Sequence, residues 1–266
     1  MLNNIKSKYI LNLITGKLKK RIELKLVKYN KILIKKLNII KEDFEKFKLL
    51  KEMNQKFNLN IKDIEIKELN LKDKYLGNEI LEYLKRIEFK ELKELDLSSN
   101  NISDIKVLEK VKFEKLKILD LSCNEISDIN ILERVNFKEL KELYLSYNHI
   151  SDIKVLEKVK FEKLEILYLS YNEISDINIL EKVNFKELKE LYLYGNNISD
   201  IKVLEKVKFE KLEILNLGYN EISDIKILGK VNFKELKELH LSHNNISDIK
   251  VLENVKFEKL RKFGFK

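Results

Sequence analysis

Hydrophobic positions recur along this chain with a period of 24 residues. The pattern L-x-x-L-x-L-x-x-N-x-I begins at Leu92, in LKELDLSSNNISDIKVLEKVKFEK. It returns without insertion or deletion at Leu116, Leu140, Leu164, Leu188, Leu212 and Leu236. An eighth copy starts at Leu260 and runs seven residues, to Lys266. Within each copy the L-x-x-L-x-L stretch alternates as a strand does. Leu143 and Leu145 should point inward, and Glu142, Tyr144 and Ser146 outward. One such unit cannot bury its leucines alone, but a stack can. Parallel strands about 4.8 Å apart would give eight or nine strands and a sheet on the order of 40 Å long.

The rest of each copy should turn the chain back. Asn100, Asn124, Asn148, Asn172, Asn196, Asn220 and Asn244 end the strands. An amide has donor and acceptor groups, so it can satisfy the backbone at the bend and link adjacent coils. The following I-S-D-I predicts a helix start, with Ser103, Asp104 and their equivalents as N-cap residues. A short helix with Ile, Leu, Val and Phe packing inward should then cover the back of the sheet. Alternate coils carry F-E-K and F-K-E, so the duplicated unit is 48 residues. Phe113-Glu114-Lys115 facing Phe137-Lys138-Glu139 predicts charge alternation between neighbours, worth a few tenths of a kcal/mol per exposed pair, on the order of 0.3.

The repeated motif resembles the leucine-rich repeat. Its L-x-x-L-x-L-x-x-N-x-I-S-D-I form is similar to the short SDS22-like class and to bacterial internalins, although both use 22 residues per coil. The resemblance implies an α/β solenoid: a parallel concave sheet, short helices on the convex side, and a non-enzymatic scaffold that holds a protein partner. The array should occupy residues 61–266. It comprises a degenerate coil over 66–91 (Ile66, Leu69 and Leu71 in the leucine positions, Lys74 in place of Asn), seven repeats over 92–259, and a partial repeat over 260–266.

Residues 1–60 lack the period and read as a separate helical segment. Ile5, Tyr9, Leu13 and Ile14 share a helical face that Gly16 could end. Leu24 to Leu37 suggest a second helix. A third spans about Lys41 to Phe57, with Phe44, Phe47, Leu50 and Met53 on its apolar side. Covering the open end of the array is the structural role of this segment. An alternative is adaptor docking in a ubiquitin ligase, because residues 4–37 loosely resemble a degenerate F-box without its Leu-Pro opening or tryptophan.

Charge separates the two parts. Residues 1–60 hold 16 Lys/Arg and 5 Asp/Glu, a net of +11, whereas residues 61–266 hold 37 and 39, a net of −2. Attachment of the basic segment to nucleic acid or an anionic membrane is a further alternative. The single cysteine, Cys123, excludes an internal disulfide framework. The run Tyr9–Ile14 is too short for a signal-peptide core, and no stretch approaches a membrane span, so a cytoplasmic protein is expected. The Asn-Ile-Ser sequons at Asn101, Asn197 and Asn245 are then by-products of the repeat.

No catalytic, cofactor or metal constellation emerges. His149, His240 and His243 are the three histidines, and Gly16-Lys17 lacks the other glycine of a phosphate loop. Binding residues are suggested instead by where the repeats differ. The mid-strand column runs Asp96, Asp120, Tyr144, Tyr168, Tyr192, Asn216, His240, and a second column runs Ser99, Cys123, Tyr147, Tyr171, Gly195, Tyr219, His243. With Tyr194, these tyrosines, Asn216 and the two histidines should form a patch on the concave face, where tyrosine gives rigid contact area with a polar tip. Glu94, Glu142, Glu190 and Glu238 make this face mildly acidic, which suits a basic protein surface and argues against nucleic acid. The chain's last strand leaves an edge at Phe263–Phe265, and a monomer is expected.

Overall fold

The computed structural model describes residues 41–250 and 257–265. Nine strands in these residues form one parallel sheet in chain order: β1 (Glu68–Asn70), β2 (Glu94–Asp96), β3 (Ile118–Asp120), β4 (Glu142–Tyr144), β5 (Ile166–Tyr168), β6 (Glu190–Tyr192), β7 (Ile214–Asn216), β8 (Glu238–His240) and β9 (Lys262–Gly264). The 24-residue period fixes the register, so equivalent residues face one another. Leu95 aligns with Leu119 and Leu143 with Leu167. In the degenerate first coil Leu69 aligns with Leu95, as its spacing predicts.

The inward leucines form one continuous core. Leu95, Leu97, Leu119, Leu121, Leu143 and Leu145 are all fully buried. Phe89, Phe113, Phe137 and Phe161 stack behind them as a second layer. The asparagines lock one coil to the next. Asn148 accepts the Ile126 N–H at 2.9 Å and donates to Leu121 O at 3.0 Å and Leu145 O at 3.1 Å. Asn100 serves the first coil, which has Lys74 in place of Asn, by accepting the N–H groups of Lys74 and Leu76.

The convex side carries the short helices expected there, each reduced to a single turn. Most coils carry a single 3-10 turn, such as Lys106–Lys110 or Lys154–Glu157, rather than an α-helix. Ser103 and Asp104 do not cap it, because Ile105 holds the N-cap position and makes no side-chain cap. Asp104 instead closes a local turn by accepting the Lys106 N–H at 2.9 Å, and Asp128, Asp152 and Asp176 repeat this. The charge alternation exists, but its direction is reversed. Lys115 pairs back with Glu91 at 2.6 Å, and Glu139 pairs with Lys163 at 2.6 Å. These pairs recur every 48 residues, through Lys211–Glu187 and Lys259–Glu235.

Two α-helices accompany the first coil: α1 (Lys41–Lys56) and α2 (Glu79–Ile87). Leu49, Leu50 and Met53 of α1 are buried in the same core as Ile80, Leu81 and Leu84 of α2. Lys46, 9% exposed, reaches Glu88 just past α2 at 2.6 Å. The two preceding helices expected before Leu37, and the F-box-like stretch 4–37, lie outside the described residues.

Candidate functional site

The face of the sheet opposite the leucine core is built from the columns that vary. Mid-strand, Tyr144, Tyr168 and Tyr192 stand in register on β4, β5 and β6. Their rings stack at 4.9 Å and 4.0 Å between centroids, with interplanar angles of 17° and 7°. The Tyr144 hydroxyl donates to Glu142 at 2.7 Å and the Tyr192 hydroxyl to Glu190 at 2.9 Å. Burial comes first in pushing both phenols above their ordinary pKa, followed by Glu142 at Tyr144, and by Tyr168 and then Glu190 at Tyr192. Both therefore stay neutral donors across the physiological range.

Three residues on, a second aromatic row runs alongside. Tyr147 stacks on Tyr171 at 4.2 Å, Tyr171 meets Tyr194 edge-on at 5.1 Å, Tyr194 meets Tyr219 at 4.9 Å, and Tyr219 meets His243 at 3.9 Å. Tyr147, Tyr171 and Tyr219 are 53%, 40% and 46% exposed. All three have left-handed backbones, with φ of 56°, 51° and 50°. The fold imposes this turn at the same place in every coil, including Ser99, Cys123 and His243.

One coil breaks the row and repairs it. Gly195 occupies the left-handed position, and a Cβ there would stand 2.8 Å from the Tyr171 ring. Its ring is supplied one residue earlier by Tyr194, which leans over Gly218 of the next coil; a Cβ at Gly218 would be 3.1 Å from it. The Tyr-Gly order in this coil, against Ser-Tyr in the two coils before it, and the following Gly218 thus form one compensated exchange.

Between the rows lies a trough of about 490 Å³ floored by Ser122, Ser146 and Ser170. Ser146 was expected to face outward, but it is only 8% exposed, because it sits low between the two walls of rings. Asn216 lines the same trough and spends its acceptor on the Gly218 N–H at 3.1 Å. The two histidines belong to different rows. The His240 ring nitrogen lies 3.1 Å from Glu238, whereas His243 stacks on Tyr219. Among the described residues no three His, Cys, Asp or Glu side chains are placed so that they could hold a metal ion together.

A feature missed in the sequence lies beside the tyrosines. Glu68, Glu94, Asp96, Asp120 and Glu142 converge on a hollow of about 360 Å³ that continues to Tyr144. Asp96 and Asp120 are in register on neighbouring strands. Burial, and then Asp96 among smaller effects, pushes the Asp120 carboxyl above the ordinary range, against the opposing bonds from Ser122. The signal was present in the same mid-strand column, whose first members are acids; it stands out only once Glu68 of the degenerate coil is placed in register.

Residues 90–134, 138–182 and 186–230 match the family model described as "Leucine Rich repeats (2 copies)", and residues 235–249 match a "Leucine Rich repeat" model. No curated protein matches the chain. The crystal structure of internalin C2 from Listeria monocytogenes is similar at 24% identity with a TM-score of 0.64, over 82% of this chain and 92% of that one. The ectodomain of the plant membrane receptor kinase GASSHO1/SCHENGEN3 from Arabidopsis thaliana, solved in complex with CASPARIAN STRIP INTEGRITY FACTOR 2, is 25% identical with a TM-score of 0.58. That match covers 81% of this chain but only 25% of the ectodomain. No helix among the described residues is long and apolar enough to cross a membrane.

Proposed function

The chain belongs to the leucine-rich-repeat family, and from that premise we propose that its concave face is a docking surface for another protein, with the two tyrosine rows as the contact. One observation carries the reading. Tyr147, Tyr171 and Tyr219 are exposed and hold a left-handed backbone. Tyrosine's preference for strands does not apply there. A side chain in this conformation costs about 1–2 kcal/mol, which glycine, as at Gly195, avoids. Large rings kept at such positions are better explained by contact than by folding. Rigid aromatic area with a hydroxyl tip is what protein interfaces favour.

The GASSHO1 ectodomain, which is also built of leucine-rich repeats, is solved in complex with CASPARIAN STRIP INTEGRITY FACTOR 2, and binding of a partner is the analogous role proposed here. The acidic hollow favours a partner with a basic surface. Neither feature calls for chemistry, so the protein acts as a non-enzymatic scaffold. Adaptor docking through residues 4–37 and membrane or nucleic-acid attachment through residues 1–60 rest mainly on residues outside those described, and no structural observation favours them.

The test is affinity capture from the native cell with the full chain and with Tyr147→Ala/Tyr171→Ala/Tyr219→Ala. The wild type should retain polypeptides that the variant loses. An identical retained set would remove the tyrosine rows from the function.

A further inference from the structure

We infer that the partner presents an extended segment whose arginine or lysine side chains enter the carboxylate hollow over β1–β4 while neighbouring aromatic or branched apolar side chains lie in the trough between the tyrosine rows. This rests on the docking reading above and specifies the occupant.

The concave face is divided along its length. At one end the hollow is lined by five carboxylates and, among the described residues, by no lysine or arginine, with Lys72 near enough to act weakly on Asp120. The trough begins at the same Tyr144 and is walled by rings. A single occupant that satisfies both must carry cationic and apolar groups side by side. A uniformly basic surface would leave the trough wet, and a nucleic acid would be repelled by the hollow. Coil-to-coil differences mark where the acidic end gives way to the trough. In the first full repeat Asp96 accepts both the Ser98 N–H at 2.9 Å and the Ser98 hydroxyl at 2.6 Å. In the second, Asp120 accepts the Ser122 N–H at 2.8 Å. Tyr144 replaces the aspartate in the third full repeat and cannot accept in that way. Ser146 Oγ is left buried in the trough without a hydrogen-bond partner among the described residues. That oxygen exposes less than 1 Å², so it marks the closed floor of the trough, and the occupant is read from the walls and the hollow instead.

The acids can be neutralised without disturbing the fold. Asn216 already closes the equivalent turn in its own coil. Asp96→Asn/Asp120→Asn therefore keeps the bonds from the Ser98 and Ser122 N–H groups, gives up the exposed bond from Asn70 to Asp96, and removes the charge.

The experiment pans displayed random dodecapeptides against the full chain. An enriched peptide is then synthesised, together with a version whose Arg and Lys are all Gln. Enriched peptides should combine basic with aromatic or branched residues. The Gln version should bind about tenfold more weakly or worse. Asp96→Asn/Asp120→Asn should weaken the basic peptide to a similar degree and leave the Gln version unchanged. Tyr147→Ala/Tyr171→Ala/Tyr219→Ala should weaken both. Enrichment without basic residues, no enrichment, occupation of the face by a second copy in sedimentation, or undiminished binding by the Asp variant each overturns the inference while leaving the docking reading standing. Undiminished binding by the Tyr variant removes that reading itself.

Discussion

Replacing Asn148 with alanine should cost the array about 3 kcal/mol, and the structure shows why the figure is not larger. Asn148 is 5% exposed. Its amide oxygen is the only acceptor for the Ile126 N–H, so alanine strands that donor in the core. An orphaned buried donor costs about 1–3 kcal/mol. The two leucine carbonyls fare better. Leu121 O is also reached by Asn124 at 3.0 Å, and Leu145 O by Asn172 at 3.0 Å. Each carbonyl is bridged by two successive asparagines and keeps one when the other is removed. The added loss is two shared bonds, each worth about 0.5–1 kcal/mol. Asn244 makes the same contacts near the end of the array but is only partly buried. Water can replace its amide, so Asn244→Ala should cost less than about half as much. Urea unfolding followed by circular dichroism gives both midpoints. Hydrogen exchange at the Ile126 amide reports the local opening, since each coil contacts only its neighbours. Equal costs at the two sites, or a loss below about 0.5 kcal/mol at Asn148, would refute the ladder as the source of coupling.

Gly195→Ala combines a φ of +67° with a Cβ placed 2.8 Å from the Tyr171 ring. It should lower stability by about 1–2 kcal/mol and alter the near-ultraviolet dichroism of the tyrosine row, whereas Gly229→Ala, which meets open space, should do neither. Glu165 sits between Lys141 and Lys189, and these bonds hold its carboxyl below the usual range. Its contribution is present above the ordinary carboxylate pKa and is lost as pH falls through the lowered value, so Glu165→Gln should flatten the acid limb of a stability–pH curve. Asp120 has the opposite sign: burial raises its carboxyl, so the charged form opposes folding and the cost is relieved as pH falls through the raised value. Asp120→Asn should therefore raise the neutral-pH unfolding midpoint, and a lower one would contradict the account.

Most of the framework was legible because each framework residue does a job its own chemistry dictates. Leucine alternation gave the strands, and the constant 24-residue spacing gave the parallel register. The asparagine amide gave the ladder. What escaped depends on geometry smaller than the repeat. Asp104 and its equivalents have the composition of an N-cap, but the 3-10 turn begins one residue too late for that role. The tyrosines were legible as a face, yet not as two rows with a trough. That division comes from the positive φ at Tyr147, Tyr171 and Tyr219, which a pattern of strand alternation does not contain. Tyr194 and Gly195 look like noise in the columns until the Tyr171 ring is seen to occupy the space a side chain would need.

The buried framework is well satisfied, and the departures from low energy fall on one face. Asp120 is a half-buried carboxyl beside Asp96, and Ser146 Oγ is a buried hydroxyl without a partner among the described residues. Three tyrosines stand where their backbone is strained. Strain persists where something other than folding retains it. Tyr147→Asn separates the two demands. Asparagine tolerates the left-handed turn, so the substitution recovers about 1 kcal/mol of backbone energy. It also forfeits the 4.2 Å stack on Tyr171, worth a similar amount, about 0.5–1.5 kcal/mol. Unfolding stability should stay within about 1 kcal/mol of the wild type while capture of the partner falls. If Tyr147→Asn instead destabilised the array by several kcal/mol, on the order of a core truncation, and left capture intact, the ring would be a structural element and the concave face would lose its claim to be the site.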